Sequence, residues 1–410
     1  MRRWLPIICV LIVGLSLSHL AQASNPPPEV TPEQVDYTFG GQAIIRARIQ
    51  SVEPISEVQV FLRNPGETDT IVGDATISDS QIIYTHTLST QPLRAFSTID
   101  YWFRIVPQTG NPSNSDVFSF YYEDNRFDWQ TLNDGLFTVH WYEGDVSFAQ
   151  SVLDNAKAGL ERAQSLLPFT EIQPVNIYVY ASGLDMQSTL RLGGLRWIAG
   201  HADPDLGVMV VSLPAGPDQH RETERQIPHE LMHLLLYQYI GKVYYDLPIW
   251  LKEGLASANE LHPNPDYYTI LTSAMQKGTP IPLSSFCQSF PQDSTIYLAY
   301  AESDSFTRYL YQIYGSAGLD ALVKSYVQGS GCVNGPAIAL GKPLDKLEQD
   351  WRRETFGENA LLSAVGNLLP WVIILVIVLA APLILTLGSL RRNKKVSLSA
   401  GQKKPVLQGK

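Results

Sequence analysis

The run His229-Glu230-Leu231-Met232-His233 constrains this chain more than any other feature. On a helix, residues four apart lie one above the other on the same face, so the two imidazoles can reach one metal ion. The surroundings support a helix. Leu231, Leu234, Leu235, Leu236 and Ile240 are apolar, and Gly241 supplies a stop. Pro228, directly before His229, marks either the first helical turn or a kink. Glu230 follows the first histidine, and its carboxylate is within reach of a water on such a metal. A catalytic zinc site takes three protein ligands and leaves a fourth position open. Glu253, within Trp250-Leu251-Lys252-Glu253-Gly254-Leu255-Ala256 on what reads as the next helix, offers the missing carboxylate. A five-residue match alone also occurs on surface helices with no role, and it is Glu253 that argues against that reading.

These two segments together resemble the gluzincins, the metallopeptidase clan of thermolysin and aminopeptidase N. The resemblance implies one zinc ion held by His229, His233 and Glu253, with Glu230 as general base. It covers roughly Phe127 to Phe356 and is carried by the residues around the metal. The spacing from His233 to Glu253 is one residue longer than is usual in the aminopeptidase branch, and the connecting loop Gly241–Pro248 absorbs it. Tyr297-Leu298-Ala299-Tyr300-Ala301-Glu302-Ser303, followed by Leu310 and Gly315, resembles the gluzincin helix whose opening tyrosine donates to the oxyanion. Tyr300 matches that tyrosine. A core aromatic is the competing reading in a chain with 20 tyrosines. The aminopeptidase segment Gly-x-Met-Glu-Asn, which grips a free amino terminus, has no counterpart: Gly207-Val208-Met209-Val210 carries no Glu or Asn. By the same resemblance Gly207–Ser212 is either an edge strand able to pair with substrate backbone or a buried central strand. Glu260, seven residues after Glu253, reads first as a solvated helix end and second as an acceptor orienting a ligand histidine. His140, His201 and His220 lack metal spacing, and His262, before Pro263 and Pro265, is expected to be exposed.

The rest of the chain divides by pattern. Arg2 and Arg3, the apolar run Leu5 to Leu17 and Ala21-Gln22-Ala23 form a cleavable secretory signal over 1–23, with an uncleaved anchor as the alternative. Residues 24–36, rich in proline, read as a linker. Over 37–122, short alternating segments (Ala43–Ile49, Val58–Leu62, Thr70–Ile77, Ile82–Leu88, Asp100–Val106, Val117–Tyr122) are separated by turn residues such as Asn64-Pro65-Gly66. This spacing predicts a β-sandwich. Tyr101-Trp102-Phe103-Arg104-Ile105 resembles a late strand of fibronectin III or immunoglobulin-like modules. His86 is a strand residue.

An α+β zinc peptidase-like domain is expected over 127–358. It has strands Phe137–Tyr142 and Val175–Tyr180 and a helix Phe148 to Leu167. Arg196–Gly200 and Leu206–Leu213 form a hairpin, and helices Leu319–Tyr326 and Leu344–Phe356 close the domain. Leu368 to Leu390 is almost wholly apolar and long enough to span a bilayer, and Arg391, Arg392, Lys394 and Lys395 follow. The basic tail 391–410 is therefore placed inside the cytoplasm and the bulk of the chain outside it. Removing its seven cations, with Arg2 and Arg3, from the net charge of -10 leaves about -19 for the remainder. Such an acidic ectodomain is unsuited to nucleic acid. Cys287 and Cys332, an even pair in an oxidising compartment, are either a disulfide or two buried thiols. Three functions compete at this stage. The first is a membrane-anchored zinc peptidase acting on peptides or proteins. The second is a zinc hydrolase of a non-peptide substrate, and the third a surface scaffold whose sandwich binds a partner beside an idle site.

Overall fold

The computed structural model describes residues 26–109, 111–193, 201–357, 368–380 and 382. The expected signal segment, the basic tail and residues 383–390 of the expected span lie outside the described residues. So does the first arm of the hairpin, 196–200. Residues 368–380 are helical and expose apolar side chains from Leu368 to Leu379. No helix among the described residues is long and apolar enough to cross a membrane. The chain divides into two compact units, Met1–Asp128 with Ser188–Ile198, and Trp129–Gln187 with Ala199–Lys410.

The first unit contains β1 (Glu29–Pro32), β2 (Asp36–Thr38), β3 (Gln42–Gln50), β4 (Ile55–Arg63), β5 (Ile71–Ser78), β6 (Gln81–Thr87), β7 (Ser97–Pro107), β8 (Ser113–Asn114) and β9 (Phe118–Tyr122). All pair antiparallel along the path β1-β3-β6-β5-β4-β7-β8, with β2 on β3 and β9 on β7. β5 pairs with β4 through Ala75 and with β6 from Thr76 onward, so one strand serves two sheets. Alternation decides the core. Ala43, Ile45, Ala47 and Ile49 are buried on one strand, and Val58, Val60 and Leu62 on another. Ile99, Tyr101, Phe103 and Ile105 of β7 join them, and the residues between face outward. The linker expected over 24–36 is corrected. Its proline-rich part contains β1, which pairs with β3 from Glu29↔Gln50 to Pro32↔Ala47. The proline is tolerated because β1 is an edge strand that ends there.

The second unit opens with β10 (Gln130–Asn133), β11 (Phe137–Trp141), α1 (Val146–Leu166), β12 (Val175–Tyr180), the first part of α2 (Gly183–Leu192, divided between the units after Gln187), β13 (Ala202–Asp203) and β14 (Val208–Ser212). The sheet order is β10-β11-β12-β14-β13. β11, β12 and β14 run parallel and the two flanking strands antiparallel. Then follow α3 (Gln219–Ile240), a 3-10 helix Gly241–Asp246, α4 (Ile249–Asn259), α5 (Pro265–Lys277), α6 (Ile296–Val327), α7 (Gly335–Leu340) and α8 (Leu344–Phe356). α6 breaks at Gly315, whose φ of 64° is left-handed. The second half begins there, where Leu319–Tyr326 was expected. α5 was not among the expected helices, yet its signal was present: Asn264 caps the helix by accepting from the Asp266 amide, and Pro265 opens it. Cys287 and Cys332 are joined, closing 45 residues of chain.

Candidate metal centre and active site

α3 carries the histidine motif in its interior, since Pro228 lies inside the helix. A proline there has no amide hydrogen, so the helix's own donor to the Glu224 carbonyl is missing. The Leu261 amide supplies it at 3.0 Å. The Pro228 carbonyl accepts from Asn259 Nδ2 at 2.8 Å. Both donors sit at the C-terminal end of α4. That end is also held by Arg162 Nε on the Ala258 carbonyl at 2.8 Å and Arg308 Nη2 on the Ser257 carbonyl at 2.7 Å. The proline next to His229 thus fastens the end of α4 against α3, and this places Glu260.

Glu260 is 3% exposed, and its Oε1 lies 3.0 Å from His229 Nδ1. The solvated helix end expected for it is therefore corrected. The backbone turns out of helix at this cap residue (ψ 130°), and the side chain meets His229 of α3. The other ring is held likewise: Tyr244 Oη lies 3.1 Å from His233 Nδ1. Tyr244 comes from the 3-10 helix Gly241–Asp246, in the connecting loop that absorbs the extra residue of spacing. With both Nδ1 atoms engaged, both Nε2 atoms turn to Glu253. Glu253 Oε2 is 3.5 Å from His229 Nε2 and 3.8 Å from His233 Nε2. One donor atom from each of the three residues falls within 4.8 Å of the others. A tetrahedral ion with bonds near 2.0–2.1 Å separates its donors by about 3.3 Å, so these side chains need only small adjustment to share a zinc. The donor set itself, two imidazoles and a carboxylate, suits that ion.

Glu253 is brought there by close helix packing. A Cβ on Gly254 would lie 2.1 Å from Thr307 Oγ1 and 2.5 Å from the Ser303 carbonyl, so glycine lets α4 press against α6. One turn before Ser303, Tyr300 is half-buried with its ring edge-on to Phe290 at 4.8 Å. Burial, then the negative charges of Glu253 and Glu230, push its phenol upward, so it stays protonated and able to donate. Tyr297, by contrast, is 62% exposed.

Charge balance in the centre favours ionised carboxylates. Burial alone would raise Glu230, but a hydrogen bond from His201 and the imidazoles around it pull it down to about 2. Glu253 is lowered by His233 and His229 against the same burial. His229 is raised to about 10: burial opposes this, and Glu253 and Glu260 overcome it.

His201 has its Nδ1 3.5 Å from Glu230 Oε1. No metal spacing pointed to it, and it reaches the centre only through the sheet. His220 pairs with Glu224 on the exposed side of α3 at 3.3 Å. His140 stacks on Tyr178 and meets Asn176, and buried His86 meets the Gln91 carbonyl. His262 is partly buried where exposure was expected.

β14 meets both expectations for Gly207–Ser212 in part. Val208 to Val211 are buried; among the described residues β13 pairs with Val208 and Met209, and the His201 carbonyl takes the Val210 amide at 2.8 Å.

The structure thus brings together an imidazole pair, a carboxylate from a neighbouring helix and a second carboxylate, Glu230, beside them. The family model described as Peptidase MA superfamily matches residues 155–357, and the helical domain of this chain belongs to that gluzincin-type zinc metallopeptidase family. No curated protein matches the chain. Among solved structures, a point mutant of an M1 zinc metallopeptidase from Deinococcus radiodurans is 12% identical over 80% of this chain and 92% of its own, with a TM-score of 0.36. An aminopeptidase N family protein from Idiomarina loihiensis is 10% identical over 79% and 75%, with a TM-score of 0.36. Wild-type OgpA from Akkermansia muciniphila is 13% identical over 24% of this chain, which spans 28% of it, with a TM-score of 0.20.

Proposed function

We propose that this protein is a zinc-dependent peptidase whose metal ligands are His229, His233 and Glu253. The observation that carries this reading is the convergence of His229 Nε2, His233 Nε2 and Glu253 Oε2, each ring fixed from behind by its own partner. When bound, zinc supplies Lewis acidity and lowers the pKa of a coordinated water toward about 7. Glu230, ionised and partly buried beside the ligands, takes a proton from the attacking water and passes it to the leaving amine. Tyr300 donates its phenol hydrogen to the carbonyl oxygen as negative charge develops there. The margin of β14 beyond Val210, whose amide is already given to the His201 carbonyl, is the edge that would receive an extended peptide substrate.

Sequence features support membrane anchoring: the signal-like segment 1–23, the apolar run 368–390 and the basic tail 391–410. The ectodomain is then outside the cytoplasm and the tail inside, a topology read from the positive flank. The sandwich is left free to engage a partner.

The test is a peptide-library cleavage assay on the full chain, with and without chelator, alongside metal analysis. Glu230→Gln is expected to retain one zinc and lose roughly 100- to 10,000-fold in turnover. Full activity in that variant removes Glu230 from the mechanism. A zinc-loaded wild type that cleaves no peptide ends the peptidase reading.

A further inference from the structure

We infer that His201 is a positioning residue of this site, a hydrogen-bond partner that sets the orientation of the Glu230 carboxylate. The inference rests on the peptidase reading above. Glu230 projects from α3 on a side chain with three rotatable bonds, and among the described residues no other side chain is shown hydrogen-bonding it. Its Oε1 faces His201 Nδ1 at 3.5 Å, which leaves Oε2 for a water. That distance is long, as is common for catalytic pairs before substrate arrives.

His201 is itself held by backbone. Its carbonyl accepts from the Val210 amide at 2.8 Å. The next two residues form β13 against β14, in the register Ala202↔Met209 and Asp203↔Val208. The ring is thus aimed by the sheet, while the carboxylate it meets is carried by the helix. A base works only when held within hydrogen-bond reach of the proton it takes, and a freely rotating glutamate spends part of its time elsewhere. His201 is 44% exposed at its side chain, so it borders solvent beside the centre rather than filling the core. It is not one of the three proposed metal ligands.

Two variants and two readouts test this in the full, zinc-loaded chain. His201→Ala is expected to lower kcat by roughly 10- to 100-fold, the usual loss when an orienting partner is removed. KM for a cleaved library peptide and zinc content should change less than twofold. His201→Asn places a carboxamide nitrogen near the former Nδ1, and it should recover most of kcat. The second readout needs no turnover. In protein labelled with 15N-histidine, the His201 Nδ1 resonance, assigned by its loss in His201→Ala, should shift in Glu230→Ala.

An unchanged kcat in His201→Ala, or an Nδ1 resonance indifferent to Glu230→Ala, overturns the inference. A fall in kcat that His201→Asn does not relieve also overturns it. A wild type that binds zinc and cleaves nothing, yet shows the resonance shift, overturns the peptidase reading and leaves His201 as the partner of Glu230.

Discussion

Glu260→Ala tests whether the buried acceptor behind His229 tunes the metal centre. In the native arrangement Glu260 Oε1 lies 3.0 Å from His229 Nδ1, at a residue 3% exposed. A zinc-ligating Nε2 requires the proton on Nδ1, so this contact is a charged hydrogen bond in the loaded state. Such bonds contribute about 1.5–3 kcal/mol, and truncation also leaves the ring N–H without a partner. At about 1.4 kcal/mol per decade, the zinc Kd should rise about 10- to 100-fold. Glu260→Gln keeps a carbonyl acceptor but not the charge. Neutral bonds are roughly half as strong, so its loss should be about 10-fold or less. Tyr244→Phe removes the neutral partner of His233 at 3.1 Å and should also cost about 10-fold or less. Competition against a chromophoric chelator gives all three constants, with circular dichroism confirming that each variant is folded. A Kd for Glu260→Ala within twofold of wild type refutes the argument. So does a larger loss from Tyr244→Phe than from Glu260→Ala.

Three further outcomes follow from the same structure. Tyr300→Phe should reduce kcat roughly 100-fold with KM and zinc content preserved, by steady-state kinetics and metal analysis; a change confined to KM would make Tyr300 a binding residue. Glu302 is fully buried, and its Oε1 accepts from the Ile281 amide at 2.9 Å. Burial raises its carboxyl from 4.5 to about 8 against the pull of Arg352. The folded state then keeps a proton the unfolded chain loses near pH 4.5, so stability falls between about pH 5 and pH 8. Glu302→Gln should flatten that fall, giving a higher Tm than wild type at pH 8 and an equal one near pH 4; equal melting curves at pH 8 would contradict it. Removing the 45-residue closure with Cys287→Ser/Cys332→Ser should cost about 4 kcal/mol, or roughly 8–16 °C in Tm by calorimetry. A shift under about 2 °C would show that the unfolded chain is little constrained by the bridge.

Much of the fold was legible because its signals are local. The β-sandwich strands alternate apolar and polar residues, and Val175–Tyr180 was read to the residue. α5 was missed because Pro263 and Pro265 drew attention away from the Asn264 cap. The expected linker failed for another reason: an edge strand tolerates proline, and composition does not reveal which strands lie at an edge. In the site, the proposed ligands were found from spacing on α3 and α4. Of the residues behind them, Glu260 was raised only as a second reading, and Tyr244 and His201 were not raised, because no spacing rule covers a phenol from a 3-10 turn or an imidazole from a sheet margin.

The sequence by itself determined the helix that bears His229 and His233, since a four-residue interval on a helix imposes one face whatever surrounds it. It also determined which strands alternate and where Gly241 ends α3. Only the tertiary structure decided that Pro228 ties α3 to the end of α4, that Glu260 lies behind His229 and Tyr244 behind His233, and that β13 delivers His201 to Glu230. These contacts join residues 11 to 37 positions apart. Their geometry depends on how whole elements pack, and a pattern confined to neighbouring residues does not contain it.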